Sequence, residues 1–238
     1  SEAQMCGNAS RCIGKFVYDN GLTDKITVTL ETKAGIKILH LNIGEDDKVK
    51  SVRVDMGIPE LMADKIPVNP RMTDGTEEFV KVRMATSAGE EFEAVAVSMG
   101  NPHAVIFIEE SPTDRHIHTI GREFEIDPAW PEKVNVEFAR VIDRKSVEMR
   151  VWERGSGETL ACGTGACATA VAGILTGLLD RHVLVKLLGG TLEIEWNREN
   201  GHVYMTGPAV TVARGVYYSE SAAGRPAGME IDFNESVT

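Results

Sequence analysis

The sequence predicts an α+β fold of two pseudo-symmetric domains, each a mostly antiparallel sheet wrapped around a central helix. The first reason is that segments in which apolar and polar residues alternate, typical of strands, far outnumber apolar helical segments. The second is that a Cys-Gly pair opens a helical segment twice, at Cys6-Gly7 and at Cys162-Gly163. No low-complexity linker divides the chain, so the domain boundary has to be placed from strand and turn patterns.

The composition is that of an ordinary globular protein. The 238 residues are 42% hydrophobic, which is enough for one large or two small cores. A formal net charge of −11 argues against binding to nucleic acid, and no apolar run approaches the ~20 residues of a membrane span. Four cysteines without zinc-finger spacing are too few for a disulfide scaffold, which predicts reduced thiols, no bound metal and a cytoplasmic location.

The first part of the chain is predicted to form a helix after Cys6 and then a β-hairpin. Residues 25–41 alternate apolar and polar side chains around a turn at Ala34-Gly35. A shorter alternation around Val52 and Val54 precedes three prolines between residues 59 and 70, which interrupt regular structure. We therefore place the domain crossing there. The predicted first domain comprises residues 1–62 and 207–218, the second domain residues 63–206, and a tail residues 219–238.

The second domain is predicted to hold most of the strands and the more apolar helix. An alanine-rich run at residues 166–179 predicts a buried helix. Alternation predicts strands at residues 79–84, 92–99, 104–109, 135–141, 146–152, 183–188, 190–196 and 201–206, with a short helix at 116–123. A last strand is predicted at residues 209–217, and an extra strand at 229–233 lies in the tail.

The two Cys-Gly pairs are the strongest chemical signal in the sequence. Because the first N–H groups of a helix lack internal acceptors and favour an anion, a thiol at that position is expected to ionise more easily. The alternative is that Cys6 and Cys162 are buried structural cysteines, a common environment for free thiols. Repetition of the whole context favours two thiols that face each other across a small ligand. Cys12 and Cys167 are expected to pack inside the two helices.

Five short motifs extend over most of the chain and carry a family resemblance. They are Cys6-Gly7-Asn8, Gly100-Asn101-Pro102-His103, Val134-Asn135-Val136, Trp152-Glu153-Arg154-Gly155 and Ala161-Cys162-Gly163-Thr164-Gly165. In order and spacing they resemble the diaminopimelate epimerase family. The related proline racemases share the Cys-Gly-Thr-Gly motif. At the position of Cys6-Gly7-Asn8, however, their motif resembles Cys-Gly-His.

The sequence departs from the family pattern in two places. Ala9 stands where the family usually has glycine, which keeps a small residue in the turn. The family also has several dozen residues ahead of its first catalytic cysteine, whereas this sequence begins with Ser1. The resemblance therefore implies that an N-terminal segment is missing, and that site residues from that segment cannot be named.

The resemblance implies an epimerase that interconverts LL- and meso-2,6-diaminopimelate, in lysine and peptidoglycan-precursor biosynthesis, without pyridoxal phosphate or any other cofactor. Inversion at a carbon that bears hydrogen needs one group to remove the proton and a second to return one on the other face. Cys6 and Cys162 are the expected acid/base pair. N–H groups near Gly7, Asn8, Gly163 and Thr164 are expected to hold the substrate carboxylate.

The remaining motif residues are expected at the far end of the substrate. The resemblance assigns Asn101, Asn135, Glu153 and Arg154 to substrate binding, with Arg154 on a carboxylate and Glu153 on an ammonium group, and it places His103 beside the thiols. Local patterns allow plainer interpretations. Asn101 suits an Asx turn, Asn135 a strand residue facing water, Glu153-Arg154 a surface pair, and His103 a core or turn histidine.

Two alternative functions stay open at this point. One is a proline- or hydroxyproline-type racemase, against which Asn8 and Glu153-Arg154 count. The other is a non-catalytic binding protein of the same fold. In each case the expected partner is a small amino acid rather than nucleic acid or a membrane, and a homodimer is left open. The glycines from Gly155 to Gly165 lack the Gly-Lys-Ser/Thr ending of a phosphate-binding loop.

Overall fold

Two α-helices of equal length begin at the two Cys-Gly pairs in the computed structural model of the chain, which describes residues 5–75, 79–215, 217–219 and 227–229. Helix α1 spans Gly7–Asp19 and helix α3 spans Gly163–Leu175, with Cys6 and Cys162 as their N-cap residues. Both caps have an extended backbone, with φ and ψ of −132° and 113° at Cys6 and of −114° and 110° at Cys162. The repeated motif therefore builds the same local structure twice.

The other elements are mainly short strands. They are β1 Thr27–Thr32, β2 Gly35–Ile43, β3 Val49–Gly57, β4 Thr73–Gly75, β5 Val80–Ala85, β6 Glu91–Ser98, β7 Pro102–Phe107, β8 Asn135–Asp143, β9 Ser146–Glu153, β10 Gly157–Glu158, β11 His182–Leu187, β12 Gly190–Trp196, β13 Val203–Pro208, β14 Tyr217–Ser219 and β15 Ala227–Met229. A 3₁₀ turn spans Pro70–Met72, a π-helical segment Arg115–Gly121 and helix α2 Arg122–Phe124. This sheet-dominated arrangement with few helices confirms the α+β class.

One hydrogen-bonded sheet contains the strands from β1 to β13. Its order is β1-β2-β3-β13-β12-β11-β9-β8-β7-β6-β5-β4, with β10 paired to β9, while β14 and β15 form a separate pair. Most neighbours are antiparallel, and the β7–β8 and β9–β11 pairs are parallel. The sheet runs through the β3–β13 pairing, so the predicted domains are hydrogen-bonded to each other and their division stays a prediction.

The two helices are buried to different degrees. Most of α3 is buried in the larger of two apolar clusters, together with Leu39 and Val52 from β2 and β3 and with Ile194 from β12. The second cluster lies under the π-helical segment and includes Phe124 and Phe138. None of the helices in the ranges described is long and apolar enough to cross a membrane.

Helix α1 has an exposed side, and this corrects one expectation from the sequence. Its buried side packs on β2 and β3, where a Cβ on Gly14 would lie 2.9 Å from Leu41 Cδ2. Its other side leaves Ile13 and Phe16 exposed, and Cys12 is exposed as well. The prediction that Cys12 packs inside the fold is therefore wrong, because it lies on the side of α1 away from the sheet. Cys167 is fully buried in α3, as expected.

Two element boundaries also differ from the prediction. Helix α3 begins at Gly163 rather than at residue 166, and it ends at Leu175 because Gly177 turns the chain with a φ of 74°. The strand predicted at residues 209–217 is wrong for residues 209–215, which follow Pro208, a residue with no N–H to continue a ladder. The pairing with the first part of the chain is made instead by β13. The strand predicted at 229–233 lies outside the described residues except for Met229, which ends β15.

Asp19 joins the end of α1 to the start of β3. Its carboxylate accepts the Val49 N–H at 2.9 Å and contacts Lys15 Nζ at 2.6 Å, and Lys15 also donates to the Val49 carbonyl at 2.7 Å. Burial opposes ionisation of Asp19, but the hydrogen bonds from Lys15 and the Val49 N–H outweigh it and hold its pKa below the ordinary value. The ionised carboxylate therefore stabilises the folded state.

We expect Asp19→Asn to lower the free energy of unfolding by about 1 kcal/mol at pH 7. Since the folded-state pKa is depressed, this contribution is present above the unfolded pKa of about 4 and is lost as the pH falls through the folded value. Urea denaturation at pH 7 and at pH 3 measures the difference, with the exposed Asp24→Asn as the control. A deficit of equal size at both pH values would contradict the assignment to the ionised carboxylate.

Candidate active site

The first turns of α1 and α3 touch each other. Asn8 donates from Nδ2 to the carbonyl of Ala161, the residue before Cys162, at 3.3 Å. A Cβ built on Gly163 would lie 3.8 Å from Gly7 Cα, and both glycines pack against Met205. At Gly7 that added atom would be only 2.6 Å from Met205 Cε. The glycines that follow the two cysteines therefore let the two helix starts approach each other.

Arg11 is buried next to this contact between the two helix starts and stabilises it. Its role was not predicted from the sequence. It is 8% exposed and donates to Asn8 Oδ1 at 3.0 Å, to the Pro208 carbonyl at 3.2 Å and to the Gly7 carbonyl at 3.4 Å. Burial lowers the pKa of Arg11, while the neighbouring thiols act in the opposite direction. The signal in the sequence is helical spacing, because Arg11 lies one turn after Gly7 and Asn8. Its bonds fix the amide orientation of Asn8.

Cys162 is buried at the start of α3. Its Sγ accepts the Gly165 N–H at 3.4 Å and lies 3.5 Å from Thr164 Oγ1. Burial is the main reason that its pKa is raised, and the charges of Glu153 and Glu137 add to the effect. The hydrogen bonds from Thr164 and Gly165 act in the opposite direction but do not offset it. The expectation of easier ionisation is therefore corrected for Cys162, because burial outweighs the helix start.

Cys6 has a different environment from Cys162. Cys6 is exposed, whereas Cys162 is 5% exposed, and both are free thiols. The backbone is nevertheless the same at the two positions, since each cysteine caps a helix and each carbonyl accepts the N–H four residues later, from Ser10 and from Ala166. The structure thus brings together two matched helix starts whose thiols differ in exposure.

A chain of hydrogen bonds leads from Cys162 into the sheet. Asn101 Nδ2 donates to Thr164 Oγ1 at 3.4 Å, and Asn101 Oδ1 lies 3.1 Å from His103 Nε2. His103 Nδ1 lies 2.6 Å from Glu137 Oε1, and both side chains are fully buried. His103 is thus a core histidine that is also joined to the thiol side of the site. Glu137 was missed in the sequence, where its signal is an acidic residue between the apolar residues Val136 and Phe138.

Asn135 links β8 to the loop that carries Glu153 and Arg154. It is 3% exposed, so it does not face water, and its Nδ2 donates to the Pro102 carbonyl at 2.9 Å. Its Oδ1 accepts the Arg154 N–H at 2.9 Å. The Arg154 side chain is exposed and donates to the Glu132 carbonyl at 2.9 Å, whereas Glu153 accepts a hydrogen bond from Thr159. Glu153 and Arg154 therefore point to different partners rather than forming a surface pair.

Glu125 organises the same loop and was also not selected from the sequence. Its carboxylate accepts the Gly155 N–H at 3.0 Å and Trp152 Nε1–H at 2.8 Å. Burial opposes ionisation of Glu125, but these bonds and Lys133 hold its pKa below the ordinary value. Within the ranges that the structure describes, no three His, Cys, Asp or Glu side chains are grouped so that they could hold a metal ion.

Comparison with known proteins identifies the family. The family model described as diaminopimelate epimerase matches residues 1–62 and 95–212. The chain is 52% identical over 215 residues to diaminopimelate epimerase of Acetivibrio thermocellus, covering 90% of this chain and 74% of that protein. It is 53% identical over 215 residues to diaminopimelate epimerase of Methanococcus maripaludis strain C6, covering 90% of this chain and 75% of that protein.

Solved structures agree on the fold. A probable proline racemase from Agrobacterium radiobacter K84 matches with a TM-score of 0.62 at 14% identity, covering 86% of this chain and 65% of that one. A hydroxyproline epimerase from Agrobacterium vitis matches with a TM-score of 0.60 at 16% identity, covering 84% and 62%. At such identities the likeness concerns the fold alone. The family match and the close relatives establish that the chain belongs to the diaminopimelate epimerase family and is an epimerase.

Proposed function

We propose that the protein interconverts LL- and meso-2,6-diaminopimelate by proton transfer at Cα between two cysteines, Cys6 and Cys162, in lysine and peptidoglycan-precursor biosynthesis. The observation that carries the proposal is the contact between the two Cys-Gly helix starts, made by Asn8 and the Ala161 carbonyl. A substrate carbon held between the two starts has one thiol on each face. No cofactor takes part in this scheme.

Inversion proceeds through an intermediate whose negative charge moves onto the α-carboxylate. The N–H groups of Gly7, Asn8, Gly163 and Thr164 lie in the first turns of α1 and α3 and have no acceptor within their helices. Donors that are fixed before the reaction stabilise charge that develops during it. These four groups are our candidates for holding the carboxylate.

The protonation of Cys162 assigns the starting roles. Because burial raises the pKa of Cys162, this sulfur begins as a thiol and serves as the acid. Cys6 then removes the Cα proton as a thiolate, and Cys162 delivers a proton on the opposite face. In the reverse direction the two roles exchange, as microscopic reversibility demands.

The distal end of the substrate carries a second ammonium and carboxylate. Arg154 is exposed, and among the described residues its side chain donates to one backbone carbonyl, that of Glu132, so its guanidinium can turn to clasp a carboxylate. Glu153 lies close enough to Cys162 for its charge to act on the thiol, and it supplies an anion for the ammonium group. Asn101 and Asn135 are the proposed polar partners between these groups.

Loss of the Cα–H signal in D₂O tests the proposal. Proton NMR of LL-diaminopimelate incubated with the protein is compared with proline under the same conditions. We expect exchange of the diaminopimelate proton with accumulation of the meso isomer, and none with proline. Exchange of proline alone would overturn the substrate assignment in favour of a proline-type racemase. Binding of diaminopimelate without exchange would overturn catalysis and indicate a binding protein.

A further inference from the structure

Glu137 is a fully buried carboxyl group that the epimerisation scheme does not use. It lies in β8 with Oε1 at 2.6 Å from His103 Nδ1. Its second oxygen, Oε2, is buried without a hydrogen-bond partner among the residues described. Leaving a buried carboxyl oxygen without a hydrogen-bond partner destabilises the folded state. Such a cost at the edge of the site indicates a role for this side chain.

The start of α3 is shaped around this carboxyl. A Cβ on Gly165 would lie 2.7 Å from Glu137 Oε1 and 3.3 Å from Cys162 Sγ. Glycine at this position therefore leaves room for the carboxyl and the sulfur on the same side of the helix. An ionised carboxylate at this position would raise the pKa of Cys162, whereas a protonated carboxyl would not.

The chemistry of the donors gives the hydrogen-bond chain a direction. Asn101 Oδ1 only accepts, so His103 Nε2 carries a hydrogen and donates to it. The amide nitrogen of Asn101 donates in turn to Thr164 Oγ1. That hydroxyl keeps its own hydrogen, which it can donate to Cys162 Sγ at 3.5 Å when the sulfur is a thiolate.

We propose that Glu137 is a positioning residue for Cys162. Its carboxyl donates a hydrogen bond to His103 Nδ1. This bond fixes the direction of the hydrogen-bond chain through His103, Asn101 and Thr164, so that the Thr164 hydroxyl at its end donates to the sulfur of Cys162. A protonated Glu137 leaves neutral His103 with its hydrogen on Nε2, the tautomer that Asn101 requires. Burial raises the pKa of Glu137, which agrees with a protonated carboxyl. The Thr164 hydroxyl stabilises the thiolate of Cys162 when this cysteine acts as the base.

The inference rests on the proposed function for its biological meaning, but its test does not need the substrate. Among the residues described, the titratable groups that face this chain are His103 on β7, Glu137 on β8 and Glu153 on β9, so any shift of the Cys162 profile has to be compared with the effect of Glu153. Alkylation of Cys162 by iodoacetamide, followed on its own peptide by mass spectrometry, reports the thiolate directly. Failure of epimerisation and failure of this inference are therefore distinguishable.

Two variants of Glu137 test whether its effect on Cys162 depends on donating a hydrogen bond, on its charge or on its volume. Glu137→Gln keeps a donor for His103 Nδ1, and we expect its Cys162 alkylation profile to match that of the original protein. Glu137→Leu keeps the volume without the donor, and we expect alkylation at pH 8 to slow by about tenfold, with the profile displaced to higher pH. Circular dichroism and thermal unfolding measure whether each variant folds.

The alkylation profiles of the two variants determine whether Glu137 has this role. An unchanged profile in a folded Glu137→Leu protein would overturn it. Equal slowing in the Gln and Leu variants would overturn donation by a protonated carboxyl. If the Leu variant does not fold, the Gln variant still tests the chain, because a displaced profile in that variant contradicts the proposed donor.

Discussion

Replacing Cys162 by alanine is expected to lower kcat for epimerisation by about 10²–10⁴-fold, and replacing Cys6 is expected to do the same. Each thiol serves one face of the carbon, so losing either one removes a proton-transfer step that the other cannot reach. Substrate binding should survive, because the candidate carboxylate donors are backbone N–H groups at the two helix starts and stay in place.

Epimerisation is measured by the conversion of LL-diaminopimelate to the meso isomer, and binding by calorimetry. Cys12→Ala is the matched control, since Cys12 lies on the exposed side of α1, about 1.7 turns after Cys6, and should keep full activity. Full activity in either Cys6→Ala or Cys162→Ala would sink the two-base mechanism. Loss of binding along with activity would instead indicate that the helix start itself had moved.

Local pattern was enough to predict most of the elements. The hairpin predicted at residues 25–41 forms as β1 and β2, because alternation of apolar and polar residues is the period of a half-buried strand. The two helix starts were predicted from a Cys-Gly repeat, which is also a local signal. Residues 209–215 alternate as well but form no strand, since they follow Pro208, which lacks an N–H, and the ladder with β3 ends there near the start of that strand. The position at which a partner strand begins is not visible in a single segment.

The site residues that the sequence did not reveal owe their roles to tertiary packing. Glu137 is buried beside α3 and contacts His103 of another strand. Glu125 accepts a hydrogen bond from a loop thirty residues further along the chain, and Arg11 donates to the carbonyl of Pro208. The ionisation of Cys162 was misjudged for the same reason. A helix start is a local property that favours the thiolate, whereas the burial and the carboxylates that oppose it come from other strands.

Replacing Arg154 by alanine is expected to raise KM for diaminopimelate by about 10–100-fold with a smaller change in kcat. The guanidinium is exposed and is proposed to hold the distal carboxylate, away from the carbon that exchanges its proton. Its backbone is fixed by Asn135, whose buried amide accepts the Arg154 N–H, so the substitution should leave the loop intact. Initial rates across a range of substrate concentrations separate the two constants.

Two further variants make this expectation specific to the guanidinium. Arg154→Lys keeps the charge without the planar fork, so its KM should lie between those of the original protein and the alanine variant. Arg144→Ala removes another exposed arginine, which pairs with Asp180. Arg144 follows β8 at the end opposite to Asn135, so this substitution should leave KM unchanged. An unchanged KM in Arg154→Ala would refute the distal role. A KM raised equally in Arg144→Ala would show that the effect is the loss of positive charge from an anionic protein rather than the loss of one contact.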